Sequence, residues 1–122
     1  MTNSSSRGEK LSEILAELKA EYIQKFPAKV TKIEVLFQKE DWDDLREEFH
    51  KLKGTGLTYG FPEVSILCEA LEVRCTRRPV DSAVLRLCFP LFQRMQAAWA
   101  EGRLYDLKPD ADAQRILQGA RL

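Results

Sequence analysis

The sequence predicts an all-α protein, an antiparallel four-helix bundle with an additional N-terminal helix. Three observations lead there. Apolar residues recur every three or four positions through most of the chain. Asp, Ser and Pro stand where helices would start, and Gly stands where they would stop. No segment keeps the strict alternation of a strand: Lys32-Ile33-Glu34-Val35 alternates briefly, and Leu36-Phe37 breaks the pattern. Short connectors between helices of useful length make sequential neighbours antiparallel.

Residues 1–8 are small, polar and aperiodic, and are expected to form a disordered leader. From Glu9 the period is helical, with Leu11, Ile14, Leu18, Tyr22 and Phe26 three or four apart. Pro27 should end or kink this helix, because it has no N–H and crowds the preceding turn. The same residue suits the first turn of a new helix, in which Val30, Ile33 and Phe37 extend the apolar stripe to Lys39. Asp41 is a good N-cap, with Asp43 and Asp44 where a helix favours negative charge. Trp42, Leu45, Phe49, Leu52, Gly56 and Tyr59 then make a core-facing stripe.

Gly60 supplies a stop and Pro62 opens the next helix, whose buried face is Val64, Leu67, Cys68, Leu71 and Cys75. Thr76-Arg77-Arg78-Pro79 reads as a connector, and the Arg74, Arg77, Arg78 group as its solvated charge. Asp81 or Ser82 caps a last long helix with Val84, Leu87, Cys88, Leu91, Met95 and Trp99 facing inward. Pro90 should kink it and Gly102 should end it. The bundle thus spans residues 9–102, and residues 103–122 form a tail with a short helix near 112–118.

The length of 122 residues suits one domain with a core of its own. Nineteen basic residues balance nineteen acidic ones, which argues against a nucleic-acid module, where phosphate neutralisation needs a basic excess. No apolar run approaches the ~18 residues of a membrane span. The N-terminus lacks the apolar centre of a signal peptide, so a cytoplasmic location is expected. Cys68, Cys75 and Cys88 match no zinc spacing in a chain with one His, and read as reduced thiols in or near the core.

Chemistry concentrates in Phe49-His50-Lys51-Leu52-Lys53-Gly54-Thr55-Gly56-Leu57-Thr58-Tyr59-Gly60-Phe61. His50 is rotated about 100° from the core residue Phe49, onto a flank that solvent reaches. Lys53 and Gly54, three and four residues on, stand beside the imidazole. Glycine at an exposed helix position costs about 1 kcal/mol against alanine. Gly54 therefore makes a bare strip of backbone where another molecule can approach the ring. An exposed imidazole is a nucleophile, an ammonium can hydrogen-bond phosphoryl oxygens, and in-line phosphoryl transfer needs an unobstructed acceptor.

At these residues the sequence resembles the histidine-containing phosphotransfer (HPt) domain family. The family pattern of a His, any residue, Leu, Lys, Gly and a later Gly is met by His50, Leu52, Lys53, Gly54 and Gly60. The resemblance runs upstream through Asp41-Trp42 and Leu45, and downstream through Phe61 to Cys68, Leu71 and Glu72. Phe49 is bulky where the family has a small residue, and Thr55 stands where Ser is common.

The resemblance implies a phosphoryl carrier in a multistep two-component phosphorelay, without kinase activity or turnover of a small substrate. His50 would accept the group through Nε2 from an aspartate of one receiver domain and pass it to another receiver. Lys53 would stabilise the phosphoryl group and Gly54 would admit the receiver. Partners would be response-regulator receivers and a hybrid sensor kinase. No cofactor or metal of its own is implied, since the receiver supplies the Mg2+. The alternative is an adaptor that binds a receiver or kinase without accepting phosphate.

The remaining candidates each carry two readings. Gly54 either admits the receiver or lets a neighbouring helix pack closely, whereas Gly56 falls in the core stripe and reads as packing. Arg46, four residues before His50, would help hold the phosphoryl group or dock the partner, or is plain surface charge. Glu47 would orient the imidazole or pair with Lys51. Leu57 is a docking contact or a partly buried flank residue. Leu15 and Tyr22 of the first helix either complete the docking face or pack into the core. A monomer is expected, since one flank must stay open.

Overall fold

The computed structural model describes residues 3–120. It has six helices: α1 (Asn3–Gln38), α2 (Trp42–Tyr59), α3 (Pro62–Thr76), α4 (Ser82–Arg86), α5 (Cys88–Ala100) and α6 (Ala111–Ala120). The described residues contain no strand. The molecule is an all-α bundle of α1, α2, α3 and the interrupted α4–α5. The short α6 lies along α3 and α5.

The first helix differs from expectation at both ends of its N-terminal half. Residues 3–8 belong to α1 and form no disordered leader; residues 1–2 lie outside the described part. Pro27 stands inside α1, so the additional N-terminal segment is the first part of one continuous helix. Pro27 itself is exposed. Its ring replaces one backbone hydrogen bond on the solvent side, while Phe26 and Ile33 hold the helix to the core on the other. Nor does the N-terminal segment pack against an end of the bundle: every residue from Arg7 to Glu21 is exposed.

Helix α2 starts as its sequence dictates. The Asp41 side chain accepts a hydrogen bond from the Asp44 N–H, and Asp43 and Asp44 occupy the first turn. It stops at Gly60, whose φ of 87° is the left-handed conformation that glycine adopts without penalty. The Phe61 N–H then returns to the Gly56 carbonyl at 2.8 Å. Pro62 begins α3 two residues later.

Asp81 caps α4 through the Val84 N–H. The expected kink near Pro90 is a full interruption at Leu87, between α4 and α5. Proline at position 90 has no N–H to offer the Arg86 carbonyl, and the regular ladder resumes with Leu91 N–H on the Leu87 carbonyl.

The core is aromatic at both ends. Phe61 and Phe26 lie 4.7 and 4.9 Å from the Trp99 ring, and Tyr22 stacks on Phe61 at 5.0 Å. At the far end Phe37 meets Trp42 and Phe89 edge-on. Phe49, bulky for the resemblance, is fully buried in the core. The three cysteines are buried and unbridged. Burial pushes the Cys75 thiol up to about 12 and raises the Cys68 and Cys88 thiols well above the ordinary thiol value.

The tail helix is longer than the sequence suggested, and side chains pin it in place. Arg94 donates to both oxygens of Asp110 at 3.0 and 3.1 Å and to Asp112 at 2.8 Å. The Tyr105 hydroxyl donates to Asp110, which also caps α6 through the Ala113 N–H. Arg74 leaves the solvated connector it was assigned to. Its guanidinium donates to the Ile116 and Arg115 carbonyls at 2.7 and 3.0 Å and ties α3 to α6.

Candidate functional site

Helices α2 and α3 are antiparallel and unusually close at Gly56. A methyl group there would stand 2.9 Å from Val64 Cβ and 3.1 Å from the Phe61 carbonyl oxygen. Only glycine lets α3 approach this far. One turn nearer His50, the Ser65 hydroxyl donates to the Lys53 carbonyl at 2.8 Å and fastens the two helices. Gly56 is thus the packing glycine its place in the stripe implied.

The close approach carries Glu72 of α3 to His50 of α2. Nδ1 of the ring lies 2.9 Å from Glu72 Oε1. A carboxylate only accepts, so the arrangement selects the tautomer with the proton on Nδ1, donating to Glu72. Nε2, with the free lone pair, has no hydrogen-bond partner among the described residues. The imidazole is 64% exposed, while the Glu72 side chain is mostly covered at 19% exposure. The acceptor is held by the protein and the ring faces water.

Glu72 takes the role that Glu47 was given as one of its two readings. Glu47 also does not pair with Lys51, which lies 3.4 Å from Glu48 instead; Glu48 in turn is bound by Lys32 of α1 at 2.9 Å. Sequence reasoning missed Glu72 as a partner of the imidazole, although the Leu71-Glu72 pair was among the residues carrying the resemblance. It stands 22 residues from His50, beyond the reach of any helical spacing rule.

The other candidates fall into two places. Lys53 and Gly54 are on α2, one turn after His50, with Lys53 half-buried and Gly54 exposed. A Cβ on Gly54 would meet nothing within 4 Å, so no neighbouring helix requires glycine there. Arg46 is half-buried one turn before His50, and Leu57, 68% exposed, lies two turns after it. Leu15 is exposed but sits elsewhere, lining a hollow with Thr58, Tyr59 and Gly60 at the end of α2. Tyr22 belongs to no docking face: it is 5% exposed, stacked between Tyr59 and Phe61. The apolar stripe of α1 enters the core at Tyr22, one turn later than the sequence could reveal.

Among the described residues no helix is long and apolar enough to cross a membrane, and no group of three or more His, Cys, Asp or Glu side chains is placed to hold a metal ion.

Fold and site together define a helical-bundle domain that presents one anchored, outward-facing histidine on the flank of its second helix. The Hpt domain family model matches residues 17–102, and the chain belongs to that family. Histidine phosphotransfer in a phosphorelay is the activity this membership implies at the level of the family. No curated protein and no solved structure matches the chain.

Proposed function

We propose that this protein carries a phosphoryl group on His50 between the receiver domains of a multistep phosphorelay. The observation that supports it most is the ring itself, exposed, with Nδ1 engaged by Glu72 and Nε2 unpartnered. The Nε2 lone pair attacks the phosphorus of an aspartyl phosphate on the incoming receiver. The bond from phosphorus to the aspartyl oxygen breaks, and its electron pair leaves with the carboxylate. The ring becomes cationic as the N–P bond forms. Glu72 faces the remaining Nδ1 proton and stabilises that charge, as a carboxylate behind a nucleophilic or basic histidine does elsewhere. Transfer to the next receiver reverses these steps.

Lys53 supplies an ammonium for the phosphoryl oxygens, and Gly54 keeps the side-chain layer open where the receiver must come within bonding distance. Leu57 and Arg46 flank the ring along α2 and offer an apolar and a cationic contact to the same partner. The receiver brings the acidic pocket and the Mg2+; this chain contributes nucleophile, orientation and access. A hybrid sensor kinase and response regulators are the partners this reading requires, in the cytoplasm.

The test is phosphotransfer from a receiver charged with acetyl phosphate. Label should appear on the wild-type chain, stable to alkali and labile to acid, and should vanish in His50→Gln while the helical signal is kept. Label that survives in His50→Gln overturns the assignment. Intact receiver binding with no transfer from the wild type would leave an adaptor instead.

A further inference from the structure

The N-terminal part of α1 is an amphipathic helix whose apolar face is left largely uncovered. Leu11 is 58% exposed and Leu15 53%, with Ile14 and Leu18 on the same face. This stripe is the direct continuation of Tyr22, Phe26, Ile33 and Phe37, which the bundle buries. The face that α2 and α5 cover from Tyr22 onward therefore runs on for about three turns, bordered only by the Thr58–Gly60 end of α2 at Leu15 and Leu18.

The charges beside the stripe are segregated along one flank. Arg7, Lys10, Glu17 and Glu21 share that flank, at relative positions 0, 3, 10 and 14, and all are exposed. The N-terminal half of the flank is cationic and the C-terminal half anionic. A second copy of the same helix, laid antiparallel, meets this pattern with its complement. Setting Ile14 against Leu15 of the second copy puts Leu11 against Leu18 and Leu18 against Leu11. In the same register Lys10 of each copy falls between Glu17 and Glu21 of the other, and Arg7 lies beside Glu21. A parallel pair would instead set this flank against the opposite one, which carries Ser12 and Lys19, and would form none of these pairs. Glu21 is already held by Lys25 of its own helix at 2.6 Å, so Glu17 is the freer acceptor.

We infer that this arm is a self-association surface: two copies of the chain pair through antiparallel α1 segments, residues 7–21, about a two-fold axis at Ile14 and Leu15. The contact is isologous, so it closes as a dimer and does not propagate. It borders the Tyr59–Gly60 end of α2, where Leu15 and Leu18 line a hollow with Thr58, Tyr59 and Gly60. His50 is ten residues back from Gly60, about 15 Å along the helix axis. Each dimer thus offers two separate histidine flanks.

Sedimentation velocity on the full chain, across micromolar concentrations at low salt, tests the proposal. The weight-average mass should climb from 14.0 kDa toward twice that value, and added salt should move it back. Leu15→Glu changes an exposed helical position, so its circular dichroism should match the wild type while its mass stays at that of one chain. Lys10→Glu and Glu17→Lys should each weaken association at least severalfold. The double variant Lys10→Glu/Glu17→Lys should recover it, because the reciprocal pairs are restored only in the antiparallel register. A wild type that remains a single chain throughout, a dimer that survives Leu15→Glu, or a double variant no better than its parents would each overturn the inference.

Discussion

Glu72 of α3 holds Nδ1 of His50 of α2 at 2.9 Å, and the glycine that allows this contact, Gly56, lies six residues from the histidine. The order of causes is plain. A missing side chain at Gly56 sets the helix separation, the separation delivers the carboxylate, and the carboxylate fixes the ring.

Removing the carboxylate should slow phosphorylation without blocking it. A hydrogen bond to a charged group contributes about 1.5–3 kcal/mol, so Glu72→Ala should lose roughly tenfold or more in transfer rate. Glu72→Gln keeps an acceptor but no charge, and should restore part of the rate. Rapid-quench assays with a phosphorylated receiver, on wild type and both variants, check this.

The two mid-helix glycines should respond in opposite ways to the same substitution. Gly56→Ala forces a methyl to within 2.9 Å of Val64 Cβ, and overpacking of this kind costs about 1–3 kcal/mol. Gly54→Ala meets open space and should gain up to about 1 kcal/mol from helix propensity. Yet Gly54→Ala, the more stable protein, should transfer phosphate more slowly, because its methyl stands where the receiver approaches. Denaturant melts and transfer assays on both variants separate stability from access.

Acid should loosen the tail before it reaches the rest of the bundle. Burial pushes the Asp110 carboxyl up, but hydrogen bonds from Arg94, Tyr105 and the Ala113 N–H outweigh it and hold the carboxyl below its ordinary value. A group with a depressed folded pKa stabilises fully above its unfolded pKa, about 3.9 for Asp, and that stabilisation is lost as pH falls through the folded value. Stability should therefore drop below about pH 4, with Asp110→Asn removing this part of the acid dependence. Acid titration followed by Trp99 fluorescence, in wild type and variant, reads it out.

The buried thiols should be silent in the native protein. Burial raises all three, Cys75 to about 12, so almost no thiolate exists near neutral pH. Alkylation by iodoacetamide should proceed only as fast as the bundle opens, and should accelerate sharply in denaturant. Mass spectrometry of the alkylated chain counts the modified cysteines.

The parts of this fold legible in the sequence are those decided locally. Asp41, Gly60, Pro62 and Asp81 mark helix ends because capping depends on a few neighbouring residues. His50, Lys53 and Gly54 could be set side by side because helical spacing alone does it. Where tertiary packing decides, local reading failed. Pro27 looked like a boundary, but Phe26 and Ile33 are buried deeply enough to keep the helix going through it. Tyr22 read equally as docking face or core, because periodicity does not mark where a neighbouring helix begins to cover a stripe. Glu72 needed knowledge of how closely α3 runs beside α2, which hangs on the single missing methyl at Gly56. Arg74 needed the position of α6.

The seating of α6 has a practical corollary for anyone trimming the chain. The family match ends at residue 102, yet Ala113, Ile116 and Leu117 are interior residues, and the Tyr105 N–H donates to Oε2 of the buried Glu63 at 2.8 Å. A fragment cut at that boundary would bare an oily strip along α3 and leave Glu63 Oε2 with Trp99 Nε1 as its one remaining donor. It would come out of the cell as an aggregate, or as a loosened bundle whose histidine no longer behaves like that of the parent.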